Sequence, residues 1–368
     1  MSATKPSNPT ICILGCGGFI GSHLLERILS ATECTVYGID IQSSKIGHLL
    51  SNDRLTFVNL NVYDTESVAK YVHASDIVIS LVALCNPALY NTIPLEVIDI
   101  NFNRPYELLR MCAEEEKWLV HFSTSEVYGK TLAGFAQCNL AKDHPDNYVL
   151  NEDSTPLILG PVHAQRWSYA CAKQLLERVI YAYGFEKGLK YTVVRPFNFI
   201  GPRMDYIPGI DGEGVPRVLA CFMEALLFHK PLWLVDGGLN KRVFTYIDDA
   251  VDALMAILEN PKTSQGEIFN IGNPANEISI ARLARRMVGI YKVLRPGLAS
   301  CDFTIKAVSS HEFYGKGYED SDRRVPDISK IQECTGWRPH TDIDTALRKT
   351  IQSYIEHYAR DAECREAG

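Results

Sequence analysis

A tyrosine and a lysine stand four residues apart in the run Arg166-Trp167-Ser168-Tyr169-Ala170-Cys171-Ala172-Lys173, whose spacing reads as a helix. At that separation both side chains leave one helix face. A lysine ammonium beside a phenol favours the phenolate and lowers its pKa from about 10. A tyrosine tuned in this way can take the proton of an alcohol while a hydride leaves the same carbon. A second polar group follows the apolar run Trp118 to Phe122: Ser123-Thr124-Ser125-Glu126-Val127-Tyr128-Gly129. Three hydroxyls and a carboxylate at one strand end are costly to bury without partners. One of those hydroxyls can hydrogen-bond the oxygen that Tyr169 deprotonates. The alternative is a Ser/Thr capping turn before a loop.

The elements that must position these groups are written around them. Thr10 to Leu14 reads as a buried strand and runs into Gly15-Cys16-Gly17-Gly18-Phe19-Ile20-Gly21, after which Leu24, Leu25, Ile28 and Leu29 recur with helical spacing. Strand, glycine-rich turn and helix form the setting of a dinucleotide fingerprint. Gly15 permits the tight turn, Gly17 and Gly18 let backbone approach a pyrophosphate, and Gly21 lets helix pack on strand. A further strand, Thr35 to Ile39, ends in Asp40. That carboxylate lies about 20 residues past the last glycine, where it can bind a ribose 2′-hydroxyl and repel a 2′-phosphate, which favours NAD over NADP.

Further strand-like runs begin at Leu55, Ile77, Trp118 and Tyr191, and helical patterns span Ile98 to Glu115 and Tyr169 to Tyr183. Strands alternating with helices predict an α/β fold, a Rossmann-like doubly wound parallel sheet with a smaller C-terminal substrate-binding domain. The expected division assigns 1–200 to NAD binding, with a returning segment at about 240–275, then 201–239 and 276–350 to the substrate, and 351–368 to a charged tail. Lys130 to Pro161 is long, polar and broken by prolines, and reads as an arm covering the site or contacting a partner chain.

With 368 residues and a net charge of −7, the chain can bury a large core and offers no global attraction for nucleic acid or anionic membrane. No apolar run reaches the length of a membrane span, and the polar N-terminus lacks the apolar core of a signal peptide. Eleven scattered cysteines suggest reduced thiols in the cytoplasm. No Cys/His cluster has zinc-ligand spacing, so no metal is expected. Cations dispersed through this acidic chain, among them Arg195, Arg203, Arg217, Lys241, Arg242, Arg323 and Arg324, suggest a polyanionic ligand such as a diphosphate plus a carboxylate. Asn198, just past a strand, can donate from its amide to a phosphate oxygen.

Gly15, Gly18 and Gly21 with Thr124, Tyr169 and Lys173 resemble the extended short-chain dehydrogenase/reductase superfamily. The runs 123–129, 166–169, Phe197-Asn-Phe-Ile-Gly-Pro-Arg203 and Phe313-Tyr-Gly-Lys-Gly-Tyr318 are similar to its UDP-glucuronate decarboxylase group, including the decarboxylase domain of the UDP-4-amino-arabinose pathway. Trp167 to Gln174, Gly201 to Asp205, Ile207 to Gly212 and Gly214 to Phe222 resemble the UDP-apiose/UDP-xylose synthases. The likeness spans about Ile11 to Pro339.

The resemblance implies NAD-dependent oxidation of UDP-glucuronate at C4, then loss of CO₂ from the 4-keto acid. UDP-4-ketopentose or UDP-xylose follows, or UDP-apiose by ring contraction. It assigns Tyr169 as base, Lys173 to the base and the nicotinamide ribose, Thr124 to the C4 oxygen, and Glu126 and Arg324 to the decarboxylation. It places Asn61 and Val62 near the adenine and lines the UDP pocket with Asn198, Arg217, Lys241 and Tyr318, with Arg166 and Arg242 reaching substrate. Ring contraction in this family uses two cysteines: one matches Cys85, and Ser125 stands in place of the other. Cys85 also reads as a small buried core residue. Asn101 and the turn Phe269-Asn-Ile-Gly-Asn-Pro274 match structural positions. A homodimer is implied too. The competing readings are a sugar-nucleotide 4-epimerase or dehydratase, and a non-catalytic NAD-sensing regulator.

Overall fold

The computed structural model describes residues 8–131, 144–314 and 320–366. Its strands are β1 (Thr10–Leu14), β2 (Thr35–Asp40), β3 (Leu55–Asn59), β4 (Ile77–Ser80), β5 (Trp118–Phe122), β6 (Val149–Leu150), β7 (Lys190–Pro196), β8 (Phe199–Ile200), β9 (Leu232–Val235), β10 (Lys241–Val243), β11 (Thr245–Tyr246), β12 (Glu267–Ile271), β13 (Glu277–Ser279), β14 (Ile305–Val308) and β15 (Arg323–Pro326). The helices are α1 (Phe19–Ala31), α2 (Thr65–His73), α3 (Pro94–Ile98), α4 (Arg104–Glu114), α5 (Ser168–Lys187), α6 (Val218–Leu227), α7 (Ile247–Glu259), α8 (Pro261–Ser264), α9 (Ile280–Leu294), α10 (Ser310–Tyr314), α11 (Ser329–Thr335) and α12 (Ile343–Glu366).

Seven parallel strands form the central sheet in the order β12-β7-β5-β4-β1-β2-β3. β4 and β5 are buried along their whole length, as strands covered on both faces must be. On one face the sheet packs against α1, which α7 covers in turn, and on the other against α2, α4 and α5. The chain leaves β1 toward β2 and β3, then returns to β4 on the opposite side. That reversal opens a crevice at the carboxyl ends of the strands. Above it stands a four-stranded sheet, β13-β10-β15-β6.

Three segments differ from the sequence expectation. The single helix expected over Ile98 to Glu115 is α3, a π-turn at Asp99–Asn103, and α4. Pro105 has no N–H to give the preceding turn, which breaks the regular ladder there. The expected arm is partly docked: residues 144–161 supply β6, which pairs with β15, while 132–143 lie outside the described residues. Beyond residue 351, read as a tail, α12 continues to Glu366 and buries Ile351, Tyr354 and Tyr358. Tyr358 Oη also donates to Asp211 Oδ2 at 2.6 Å.

Candidate active site

The glycine turn joins β1 to α1. Gly15 adopts φ +93°, open to glycine at little cost. A Cβ on Gly21 would fall 2.1 Å from Gly15 O, so α1 meets the turn at backbone contact. Gly17 has a different reason from the one expected. Its Cβ would strike Gln42 O at 2.0 Å, so this glycine serves the approach of the β2 loop. Gly17 N and Gln42 N donate to the two oxygens of Asp40 at 2.9 and 3.0 Å, and the acid therefore closes the turn. α1 begins with no side-chain cap and no acid in its first turn, leaving its N–H groups for an anion. Phe19 is buried in that turn, and Ile20 lines the adjoining cavity. Asn61 and Val62 follow β3 next to Asp40, where Leu60 N donates to Asp40 O; Asn61 Oδ1 accepts from Tyr63 N at 3.0 Å. A glycine cradle that a Cβ would fill, an uncapped helix start and a carboxylate past β2 fit a dinucleotide without 2′-phosphate.

The crevice continues into a cavity of about 1120 Å³. Cys85, Thr124, Ser125, Glu126, Arg166, Tyr169, Asn198, Arg217, Arg242 and Arg324 all line it. They arrive from the ends of β4, β5 and β7, from the start of α5 and from the upper sheet. Cys85 is exposed to the cavity, which sets aside its reading as a core residue.

Tyr169 is buried beside Thr124, which hydrogen-bonds its hydroxyl. Burial pushes the phenol above its ordinary range, and the Cys85 side opposes ionisation further. The expected lowering by Lys173 is absent from the protein alone. Lys173 Nζ donates to Phe122 O at 2.9 Å beneath the cavity, and its burial lowers it to about 8. An ammonium engaged with a carbonyl and close to its own neutral point exerts little pull on the phenol. Tyr90 stacks on Tyr169 with ring centroids 5.1 Å apart and planes at 11°, fixing the ring that must present its oxygen.

Next to this pair lies a chain of charges. Arg166 Nη2 and Arg324 Nη2 each donate to one oxygen of Glu126 at 2.5 Å. Arg242 Nη2 donates to Asp320 Oδ2 at 2.5 Å, and Arg166 lies 3.8 Å from Asp320 Oδ1. Burial pushes the Glu126 carboxyl up, but the guanidiniums of Arg166 and Arg324 outweigh it and hold the group well below the usual carboxylate range. Among the described residues, three guanidiniums here meet two carboxylates, an arrangement suited to one more carboxylate.

Other residues sit less simply. Asn198 adopts φ +40° and spends one amide hydrogen on Val243 O at 2.8 Å. Arg217 is paired with Asp205 through Nε at 2.9 Å and Nη2 at 3.2 Å. Lys241, expected in the UDP pocket, is exposed and does not line the cavity. Strand alternation turns Arg242 inward and its neighbour out. Tyr318 lies outside the described residues. Sequence reasoning missed Tyr90, Asp320 and Asp205. Nothing local in the sequence marked any of the three.

The parallel sheet, the glycine cradle and the Tyr169–Lys173 pair define a dinucleotide-dependent enzyme. The chain belongs to the NAD dependent epimerase/dehydratase family, whose model matches residues 11–272, and NAD is its cofactor. It is 48% identical over 369 residues to UDP-D-apiose/UDP-D-xylose synthase 1 of Arabidopsis thaliana, covering 96% of this chain and 94% of that protein. A synthase of the same description from Oryza sativa subsp. japonica is 48% identical over 355 residues, 93% of this chain and 88% of the other. Among solved structures, the PbgP3 protein of Burkholderia pseudomallei is 36% identical with TM-score 0.81, covering 97% and 98% of the two chains. UDP-glucuronic acid 4-epimerase of Bacillus cereus, at 23% identity and TM-score 0.75 over 95% and 100%, shares the fold. Among the described residues no helix is long and apolar enough to cross a membrane.

Proposed function

We propose that this protein is a UDP-glucuronate decarboxylase giving UDP-4-ketopentose or UDP-xylose. The observation that carries the reading is the net positive Arg324–Glu126–Arg166 cluster beside Tyr169 in one cavity, in a chain 48% identical to UDP-apiose/UDP-xylose synthases. Bound NAD⁺ supplies the hydride acceptor for C4 of the sugar. Tyr169 takes the proton of the C4 hydroxyl, and Thr124 bonds the same oxygen. Stacking on Tyr90 keeps the phenol aligned, and Lys173 serves the nicotinamide ribose. Gly15, Gly18 and Gly21 cradle the pyrophosphate, Asp40 holds the adenosine ribose, and Asn61 with Val62 flank the adenine. Asn198 and Arg217 serve the diphosphate.

The acidic sugar carboxylate is gripped by Arg324 with Arg166 and Arg242. Once C4 is a ketone, that carboxylate is β to a carbonyl, and C–C cleavage sends its electron pair into the ketone as an enolate. Glu126, ionised between two guanidiniums, repels the carboxylate in the ground state, and water entering the cavity supplies the proton to the carbanion carbon. Ser125 in place of a thiol, with a far less acidic proton, leaves Cys85 without its thiol partner and supports UDP-4-ketopentose or UDP-xylose over UDP-apiose.

The test is incubation with UDP-glucuronate and NAD⁺, with NMR and mass identification of the sugar nucleotide. A UDP-pentose or its 4-ketone is expected; UDP-galacturonate as sole product refutes the reading in favour of epimerisation. We further propose a homodimer through α3 and α5, which pack together and expose Leu95 at 82%, Leu175 at 48% and Phe185 at 84%. Light scattering should give twice the mass of the chain.

A further inference from the structure

The run Phe269 to Pro274 takes no part in this chemistry, yet Asn270 on β12 is fully buried and each polar atom of its side chain is engaged. Nδ2 donates to Leu150 O at 2.8 Å and to Asp327 O at 3.1 Å. Oδ1 accepts from Tyr128 Oη at 2.8 Å. Its backbone N donates to Glu152 Oε1 at 2.7 Å.

These partners belong to the two segments that carry the charge cluster. Tyr128 ends the turn Ser125–Tyr128, which bears Glu126. Leu150 and Asp327 flank the β6–β15 ladder, and β15 bears Arg324. Gly272, two residues on, would place a Cβ 2.6 Å from Pro326 Cγ, so β15 lies against this run at glycine distance. Below, Arg195 Nη1 donates to Tyr128 Oη at 2.8 Å, and Glu177 holds Arg195 through two bonds of 3.1 and 2.7 Å. An asparagine meets these demands where other residues do not. Aspartate lacks the donors, leucine lacks donors and acceptor, and glutamine is one carbon too long.

We propose that Asn270, with Glu152, is a positioning residue pair that sets the separation of Glu126 and Arg324 and thereby governs turnover of the carboxylate-bearing sugar, not nucleotide binding. This rests on the reading of Arg324 and Glu126 as the carboxylate grip. Glu152 adds a pH dependence. Its Oε2 is buried with no hydrogen-bond partner among the described residues, and burial raises the carboxyl to about 7. The groups near the carboxyl are Lys330, Asp327, Tyr128 and Cys334, while Arg195 Nη1 reaches the backbone carbonyl of Glu152 at 3.5 Å. Once ionised, the carboxylate is drawn toward Lys330 and pushed from Asp327, whose carbonyl Asn270 holds, and so disturbs the pair.

The experiment measures CO₂ release from UDP-glucuronate by wild type, Asn270→Asp and Glu152→Gln across pH, with affinities for UDP, UDP-glucose and UDP-glucuronate. For Asn270→Asp we expect turnover to fall about 10–100-fold, discrimination of UDP-glucuronate over UDP-glucose to shrink, and UDP affinity to stay within about twofold. Turnover at the wild-type level, or an equal loss of affinity for all three ligands, overturns the proposal. Glu152→Gln keeps the acceptor for Asn270 N and removes the ionisation, so it decides the matter even where Asn270→Asp fails to fold. The wild-type limb near pH 7 should vanish in it, and an unaltered pH profile refutes the pair. A wild type that releases no CO₂ refutes the function reading instead, and the pair is then judged on ligand discrimination alone.

Discussion

Replacing Arg324 by methionine should separate the grip on the sugar acid from the grip on the nucleotide. The guanidinium is 4% exposed and meets Glu126 Oε1 at 2.5 Å. Removing it takes away one of the three guanidiniums that meet Glu126 and Asp320, and with it one positive charge for an incoming carboxylate. A unit charge at about 4 Å is worth about 4 kcal/mol at an effective dielectric of 20, and a charge-assisted hydrogen bond contributes about 1.5–3 kcal/mol. These are two views of one contact, so a loss of about 3–4 kcal/mol is expected, or about 10²–10³-fold in affinity. Arg166 continues to neutralise Glu126 at 2.5 Å, which keeps the fold intact, and far-ultraviolet circular dichroism checks that. Titration calorimetry with UDP-glucuronate and with UDP-glucose is the assay. The reasoning predicts the full loss for the acid and a change under about twofold for the neutral sugar. Equal losses for both ligands, or none for the acid, would refute it.

Three further outcomes follow from the geometry. Tyr169→Phe keeps the stack on Tyr90 and should lower turnover about 10²–10⁴-fold with UDP-glucuronate affinity unchanged, read by single-turnover assay. Gly21→Ala forces a Cβ to within 2.1 Å of Gly15 O; NAD binding, followed by fluorescence, should be lost together with several degrees of thermal stability. Lys173 is lowered to about 8 by burial, so the folded protein holds this proton less tightly than the unfolded chain. Between about pH 8 and 10.5 this group therefore raises stability as pH rises, by about 3 kcal/mol in all. Activity that needs the ammonium should fall over the same range, so rate and denaturant midpoint, compared with Lys173→Met, move in opposite directions.

What the sequence revealed and what it concealed follow from the range of the forces involved. The turn from β1 to α1 was legible because its demands are local: Gly15 needs φ +93°, and Gly21 meets backbone. Tyr169 and Lys173 share a helix, so their spacing is geometry of one turn. Tyr90 was invisible in its role because stacking on Tyr169 joins residues brought together only by the sheet crossing from β4 to β5. Asp320 likewise gains its meaning from Arg166 and Arg242, one on α5's approach and one on β10. Lys241 misled because a three-residue strand gives too little alternation to tell inward from outward. The helix past residue 351 looked like a tail because its buried face, Ile351, Tyr354 and Tyr358, is narrow among charged neighbours.

The central claim is that this cavity removes the carboxylate of an acidic sugar nucleotide. UDP-glucuronate labelled with ¹³C at its carboxyl carbon, incubated with the protein and NAD⁺, tests it most directly. The account predicts one equivalent of labelled CO₂ per sugar consumed, with unlabelled UDP-pentose or 4-ketopentose left behind. Label retained in a UDP-hexuronate product contradicts it.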